Sequence, residues 1–557
     1  MWFRNIARGD IGGKPVDAPA WYDHDFIPVV SKAVEQASEK ISELGFCEKR
    51  IWEVVRLCHD GEVELVPLMS ALQDLPQLRH RGHESCTSIF CEYDTLNFTS
   101  VTQLHKCYGP QKCEPTTDEM FNQSLLVAAL QGHTMTTAWT LDGMSLVAQD
   151  RSYIAVSHVW SDGTGAGAWK AGQVNRCLWD YFVHIAEMVQ CDGVWWDTVC
   201  IPQEKAVRSI ALNNMHHNYA AAKYTVVHDL YLAGIEWRND GSPCIALVLS
   251  PWFTRGWTAL ELFFSKRVFV FFRQGDGFIV KDLDREVLAQ HRFLDSHAHW
   301  IATDIVKRLR HAGRTFNSAG GILSVLQARY TSWSRDQSII SGFMCGLSDH
   351  VTLSEEDITK QVLRKVGYIS QNCLLHGLPT MPEPEWSWCP PRFFDIPSGS
   401  DRQSYDLCVN ADGTLAGFWE IWYIPSKTYV HRGMIWPLSM NMRIKTQVRS
   451  ALQEPEKCVI LTCDTYDSQG LLVRLKAYND RQQDDVLYCK YIGAVNVSYR
   501  EIRKPRFHIW RRVVIGYKPG MVDVGVVDWE ENDSQYKKDK KLSKEEVYDS
   551  RYRPSFR

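Results

Sequence analysis

The sequence predicts an α/β protein: a parallel sheet flanked by helices, with a mostly helical region before it and a β-rich domain after it. Three observations carry this. From Tyr153 to about Phe272, short runs rich in Val, Ile and aromatic residues alternate with segments of helical spacing, the pattern of parallel strands joined by helical crossovers. Upstream, PVVSKAVEQASEKISELGF and KRIWEVVRLC space their apolar residues at the helical period. Downstream of a Pro-rich stretch, LPTMPEPEWSWCPPRFFDIP, strand-like runs recur at hairpin spacing.

Totals narrow the function classes. A chain of 557 residues exceeds one domain, and 45% apolar with 23% charged residues is ordinary globular composition. The net charge of -4 argues against a whole-chain grip on nucleic acid or an anionic membrane. No apolar run reaches the roughly 18 residues that a membrane-spanning helix needs. The start, MWFRNIARGD, carries Arg4, Arg8 and Asp10 and forms no secretory core. The 17 cysteines are spread without the density of a secreted disulfide scaffold, so reduced thiols and a cytoplasmic location are expected.

In order along the chain, residues 1–150 read as a mostly helical region holding a Cys/His-rich segment, 80–113. Residues 151–285 form the α/β core, with strands expected in YIAVSHVW, GVWWDTVCI, YTVVHDLYLAG and RVFVFF. Between them lie LWDYFVHIAEMV and RSIALNNMHHNYAAAK, which puts Ala211, Met215, Tyr219 and Ala222 on one helical face, and then the helix that opens at Pro251. Residues 286–380 are expected to be helical through EVLAQHRFL, HWIATDIVKRL and ITKQVLRKVGYI. Residues 381–531 form the β-rich domain; in LLVRLKA, Val473, Leu475 and Ala477 alternate with Arg474 and Lys476, as in a half-buried strand. Residues 532–557 are charged and aperiodic and read as a disordered tail.

Chemistry concentrates in SPWFTRGWTALELFFSK, Ser250 to Lys266. Trp257 and Glu261 stand four residues apart and would share a helix face. There the indole can stack a base while the carboxylate handles ribose; alternatively Glu261 pairs structurally with Arg255 or Lys266. Ser157, His158 and Trp160 end the first strand of the core, and Asp197 ends the second with Gln203 close behind. Ligands of open α/β sheets bind beyond the carboxyl ends of strands. Asp197 either holds ribose hydroxyls or caps the next helix. The Gly163, Gly165 and Gly167 loop either wraps phosphate or is merely mobile, and Cys200 reads as a packed residue rather than a nucleophile. His83, Cys86, Cys91, His105, Cys107 and Cys113 follow H-x2-C-x4-C and H-x-C-x5-C spacing. Four of the six are candidate ligands of a structural zinc; the alternative is scattered reduced thiols.

Three segments together resemble the HET domain, the module named for heterokaryon incompatibility in filamentous fungi. They are YIAVSHVW (Tyr153–Trp160), WWDTVCIPQ (Trp195–Gln203) and PWFTRGWTALEL (Pro251–Leu262), and their order and spacing agree as well as their composition. His158 stands where Tyr is commoner, Pro202 where Asn is usual and Leu260 where Gln usually precedes the Glu. HET domains are similar in turn to TIR domains, and Ser250, Trp257, Glu261 and Leu262 fall in register with the TIR helix, with Thr258 in place of Cys. The resemblance implies a TIR/flavodoxin-like core, NAD as substrate and Glu261 as the catalytic acid that cleaves the nicotinamide–ribose bond. Trp257, Ser157, His158, Trp160, Asp197, Gln203 and Arg255 would be substrate-binding. It also implies a role in programmed cell death or innate defence and action as a homo-oligomer or under an upstream activating protein. The competing expectation is a non-enzymatic signalling adaptor in which Glu261 is structural.

Overall fold

Helical spacing upstream of the core yields α1 (Phe26–Glu43) and α2 (Glu48–Leu57). The computed structural model describes residues 26–57, most of 68–94, 101–107, 113–165, 172–289, 297–311, 316–397, 406–424, 435–462, 469–478, 486–497 and 510–525, apart from isolated positions within them. The expected tail, 532–557, and Gly167 lie outside the described residues. The chain divides into two units, residues 1–373 with 390–409, and residues 374–389 with 410–557.

In the first unit, α3 (Gln123–Gln131) opens where the Asn122 side chain accepts from the amides of Ser124 and Leu125. A mixed sheet follows, built with helices between its strands: β1 (Trp139–Thr140), β2 (Tyr153–His158), α4 (Arg176–Met188), β3 (Gly193–Trp195), α5 (Asp197–Cys200), α6 (Lys205–Ala221), β4 (Tyr224–His228) and α7 (Leu230–Gly234). The chain continues through α8 (Ser242–Leu249), α9 (Pro251–Thr254), α10 (Gly256–Phe264), β5 (Val268–Gln274) and β6 (Gly277–Asp282). The sheet order is β1-β3-β2-β4-β5-β6. The inner pairs β3–β2, β2–β4 and β4–β5 are parallel, while β1 and β6 pair antiparallel at the edges. Every residue of β2 is buried, so both faces of the sheet are covered there, as parallel strands require. The face read from the sequence of α6 is the buried one: Ala211, Met215 and Tyr219 all lie inside, with Ala222 just beyond.

Two expected strands are shorter than their apolar runs. YTVVHDLYLAG is strand only to His228, because the Asp229 carboxylate accepts from Leu232 N at 3.0 Å and starts α7. GVWWDTVCI likewise leaves the sheet after Trp195 and turns helical at Asp197. The helix expected from Pro251 is also broken. Ser250 caps α9 by accepting from Phe253 N at 3.1 Å, with Pro251 at the first helical position. Arg255 is then extended, and the helix restarts as α10. The backbone of Tyr330 makes the break: Tyr330 N donates to Thr254 O at 2.9 Å and Gly256 N donates to Tyr330 O at 2.8 Å. A Cβ on Gly256 would lie 2.5 Å from Thr331 Cγ2, so only glycine allows this approach.

Downstream come α11 (His297–His311), α12 (Ala319–Leu326), α13 (Ser334–Met344), α14 (Glu355–Val366) and the short antiparallel pair β7 (Tyr368–Ser370) and β8 (Asp406–Val409). Part of EVLAQHRFL lies outside the described residues.

The second unit comprises β9 (Leu415–Tyr423), β10 (Ile435–Pro437), α15 (Met442–Ala451), β11 (Cys458–Thr462), β12 (Gln469–Ala477), β13 (Val486–Val497), β14 (Trp510–Ile515) and β15 (Val522–Asp523). Pairing runs β9–β11–β12–β13–β14 and returns from β14 to β9, which closes a five-stranded barrel. Closure removes the sheet edges that would otherwise be exposed. Val473, Leu475 and Ala477 point inward as their alternation requires, and Ile444 and Val448 of α15 join the core formed by Trp422, Ile460, Leu472 and Val495. None of the described helices is long and apolar enough to cross a membrane.

Candidate active site

The last residues of β2 are polar in a strand that is otherwise apolar, and they are fully enclosed: Ser157 and His158 are both buried. A buried hydroxyl or imidazole must find partners, and each does so in another element. Ser157 Oγ donates to Oε2 of Glu261 on α10. The same oxygen accepts from Trp252 Nε1 at 2.7 Å. Trp252 is fixed in turn because Asp229 Oδ2 accepts from its backbone amide at 2.9 Å. Trp252, Ser157 and Glu261 thus form a directed chain of hydrogen bonds joining α9, β2 and α10.

Glu261 is 7% exposed. Burial pushes its carboxyl up to about 7; the Ser157 hydrogen bond opposes this, and the charge of Asp197 adds to it. Asp229 is also pushed up to about 7, by burial and then by Asp162. Tyr219 of α6 donates to Val156 O at 3.1 Å, and burial with the nearby Glu261 charge pushes its phenol well up.

A second layer lies over the first. His158 Nε2 is 2.7 Å from Asp197 Oδ1, Trp160 Nε1 donates to Asp197 Oδ2 at 3.0 Å, and Thr198 Oγ1 donates to Oδ1 at 3.2 Å. His158 Nδ1 faces Val159 O at 3.2 Å. Trp196 Nε1 donates to the same Nε2 at 3.2 Å, so this nitrogen faces both an acceptor and a donor; the carboxylate favours the imidazolium charge and the indole N–H opposes it. Burial works against that charge, but Asp197 outweighs it and the imidazole pKa is raised. Burial likewise opposes the Asp197 charge, and His158, Trp160 and Thr198 together hold its carboxyl below the usual range. The Asp197 side chain is 21% exposed against 2% for His158, so the network opens to solvent on the Asp197 side.

The site residues read from the sequence divide accordingly. Ser157, His158, Trp160, Asp197 and Glu261 come together. Trp257 does not join their hydrogen bonds: its Nε1 donates to Asp336 Oδ2 of α13 at 2.8 Å, and the indole bonded into the Glu261 chain is Trp252. Arg255 sits at the break before α10, where its carbonyl accepts from Arg329 Nη1 at 3.1 Å. Gln203 is exposed in the loop before α6. Asp197 does open a helix, α5, but its carboxylate bonds His158 and Trp160. Gly163 and Gly165 are demanded by packing: a Cβ on Gly163 (φ +84°) would lie 2.6 Å from Thr102 O, and one on Gly165 would lie 2.2 Å from His158 Cε1. Cys200 is buried and its thiol pKa is pushed up by burial, as a packed residue requires. Sequence reading missed Trp252 and Asp229. The available signal was Ser250–Pro251, a cap and first-turn pair that puts Trp252 at the start of a helix.

The six Cys and His candidates split into two groups instead of supplying one set of four. Cys47, His83, Cys86 and Cys91 form one group and His105, Cys107, Cys113 and Cys177 the other, each with one ligand atom per residue and all such atoms within 4.8 Å of one another. Each group can hold a metal ion. No disulfide joins the described cysteines. Compared with family models, with curated proteins and with solved structures, the chain matches none of them.

Proposed function

We propose that the chain is a HET-type protein with a TIR-like core that hydrolyses the bond between nicotinamide and ribose in NAD or a related nucleotide. The observation that carries this reading is Glu261: a buried carboxyl with a pKa of about 7, held by the Trp252–Ser157 chain at the carboxyl end of the central parallel strand. The parallel strands run in the order second, first, third, fourth, which agrees with the doubly wound arrangement whose ligands bind at that edge.

In this reading the nucleotide enters from the Asp197 side, where the network is open. Asp197 and Trp160 meet it first, and the ribose settles toward Glu261. Nicotinamide joined through its ring nitrogen is a cationic leaving group, so its departure needs no proton. The ionised Glu261 carboxylate faces the developing oxocarbenium charge, and its buried setting strengthens that attraction. Water then adds to the ribose carbon, giving ADP-ribose and nicotinamide with release of one proton. Turnover rises as pH passes through about 7, where Glu261 ionises. The Cys/His groups contribute no ligand to this network, so a metal bound there is structural, with zinc the ion favoured by a three-thiolate, one-imidazole set. A cytoplasmic cell-death or defence role and control by self-assembly or an upstream partner complete the proposal.

The test is nicotinamide release from NAD by the purified full chain and by Glu261→Gln side by side. Release by wild type, and its loss in a variant whose circular dichroism is unchanged, are expected. A wild type that is inert in every assembly state tested hands the site to the competing reading: an adaptor in which a fully bonded, buried Glu261 only ties α10 to β2.

A further inference from the structure

Three cysteines and one histidine converge twice in the first unit, and the distances within each group match a tetrahedral metal. His83 Nδ1 lies 3.4 Å from Cys86 Sγ and 3.5 Å from Cys91 Sγ. His105 Nδ1 lies 3.7 Å from Cys107 Sγ, 3.7 Å from Cys113 Sγ and 3.8 Å from Cys177 Sγ. With Zn–S of about 2.3 Å and Zn–N of about 2.0–2.1 Å, the N···S edge of a tetrahedron is about 3.6 Å. A neutral imidazole nitrogen has one lone pair and accepts one S–H. The second group sets three sulfurs around a single Nδ1 and the first sets two, more than thiol hydrogen bonds to one lone pair explain, whereas one cation at each centre bonds all four atoms of its group.

The second group also has its outer contacts in place. Each of its three sulfurs accepts a backbone amide: Lys106 N to Cys177 Sγ at 3.1 Å, Cys113 N to Cys107 Sγ at 3.3 Å and Cys177 N to Cys113 Sγ at 3.4 Å. Such donors stabilise thiolates and orient metal ligands. In the first group, Cys47, Cys86 and Cys91 form a buried cluster with Tyr93 packed on it, and the His83 ring stacks on Tyr93 at 4.2 Å.

We infer that these are two separate structural zinc sites, each closed by a cysteine distant in sequence from the short-spaced triad, and that they brace the two segments flanking the candidate active site. Cys47 enters the first site from the turn before α2. That turn is tied to α8: Cys47 N donates to His80 Nδ1 at 3.2 Å, and His80 Nε2 and Arg50 Nη1 lie 3.0 and 3.1 Å from Leu249 O. Leu249 immediately precedes the Ser250 cap and Trp252. Cys177 enters the second site from the first turn of α4. The loop leading to His105 pairs with the loop after β2, where Leu104 N donates to Gly163 O at 2.9 Å and the Asn175 side chain donates to Leu104 O at 2.9 Å. Neither site depends on the reaction proposed above.

The experiment is metal analysis of the full chain, purified under reducing conditions without chelator, by inductively coupled plasma mass spectrometry. Two zinc per chain are expected, falling to one in Cys47→Ala, one in Cys177→Ala and none in the double variant, with Cys408→Ala, altered at an exposed cysteine outside both groups, retaining two. Should a variant misfold, the wild type decides alone. Stripped anaerobically and titrated with Co2+, it takes up two equivalents with the visible bands of tetrahedral cobalt. Hydrogen exchange at residues 160–165 and 249–253 then accelerates in the stripped protein and is restored by zinc. A wild type that arrives without zinc and takes up no cobalt, an intact mass showing disulfides among these eight cysteines and histidines' six thiols, or one equivalent unaffected by Cys177→Ala would each overturn the inference.

Discussion

Trp252 Nε1 donates to Ser157 Oγ at 2.7 Å, and that bond sets the direction of the Ser157 hydroxyl. With one lone pair of the oxygen taken by the indole, the hydroxyl proton is left to point at Glu261. The residue that orients the acid is therefore ten positions before the end of the motif, on a different helix from the acid itself.

Trp252→Phe removes the donor and keeps most of the packing. It leaves the buried Ser157 oxygen short of a partner, at a cost of about 1–3 kcal/mol. Urea denaturation is expected to show that loss with an unchanged slope. Trp257→Phe removes a bond to Asp336 that is only partly buried, and its cost is expected to be smaller. Equal losses in the two variants would contradict the role given to Trp252.

Glu261 predicts a pH signature in stability. Its folded pKa of about 7 lies above the ordinary 4.5, so the fold favours the protonated form. This contribution is complete below 4.5 and is lost as pH rises through about 7, a span worth about 3 kcal/mol. Glu261→Gln cannot ionise and escapes the loss. Denaturation at pH 5 and pH 8 is expected to show wild type weakening relative to the variant. Asp229, also at about 7, titrates over the same range and remains in the variant, so a decline is still expected there until Asp229→Asn is added. Parallel pH profiles for wild type and Glu261→Gln would refute the raised pKa.

The parts of this site that were legible in sequence are those fixed by local pattern. YIAVSHVW declares a buried strand, and its terminal Ser157 and His158 declare polar groups at the strand end. Glu261 is visible through its four-residue spacing from Trp257 in the Ser250–Lys266 segment. What local pattern cannot supply is the partner. The four-residue spacing of Trp257 and Glu261 survives, since both lie in α10, but the Trp257 indole bonds Asp336 of α13. The indole bonded to Ser157 is Trp252 on α9, a separate helix because the backbone of Tyr330, more than seventy residues away, breaks the run at Arg255. The same limit hid Cys47 and Cys177: each lies far along the chain from the triad that it completes. The halves of YTVVHDLYLAG differ because one side chain, Asp229, outweighs the β propensity of its neighbours.

Asp197→Asn tests the outer layer. His158, with a raised pKa, contributes stability that is complete below its ordinary 6.5 and is lost as pH rises through the folded value. Asp197, with a lowered pKa, contributes stability that is complete above its ordinary 3.8 and is lost as pH falls through the folded value. The pair is thus fully effective between pH 3.8 and 6.5. Removing the carboxylate charge in that window leaves a buried imidazolium without its counter-ion, at about 3 kcal/mol. The His158 ring is expected to titrate at lower pH in the variant by NMR, because burial is then opposed only by Asp162 and the Val159 carbonyl. An unmoved His158 titration would show that Asp197 is not what holds its proton.

Gly165→Ala probes how tightly the loop after β2 is laid over the network. The added Cβ would sit 2.2 Å from His158 Cε1 and 3.0 Å from Trp160 Nε1, and both rings are held by Asp197. Neither can yield without breaking a hydrogen bond to that carboxylate, so the loop itself must lift. Overpacking of this kind costs about 1–3 kcal/mol. The Thr198 hydroxyl, whose one proton is shared between Gly165 O and Asp197 Oδ1, each at 3.2 Å, loses the Gly165 contact when the loop moves. The expected result is a lower melting temperature together with faster hydrogen exchange at residues 160–165, while the barrel unit keeps its protection. A variant as stable as wild type would mean that the loop does not rest on the His158 ring.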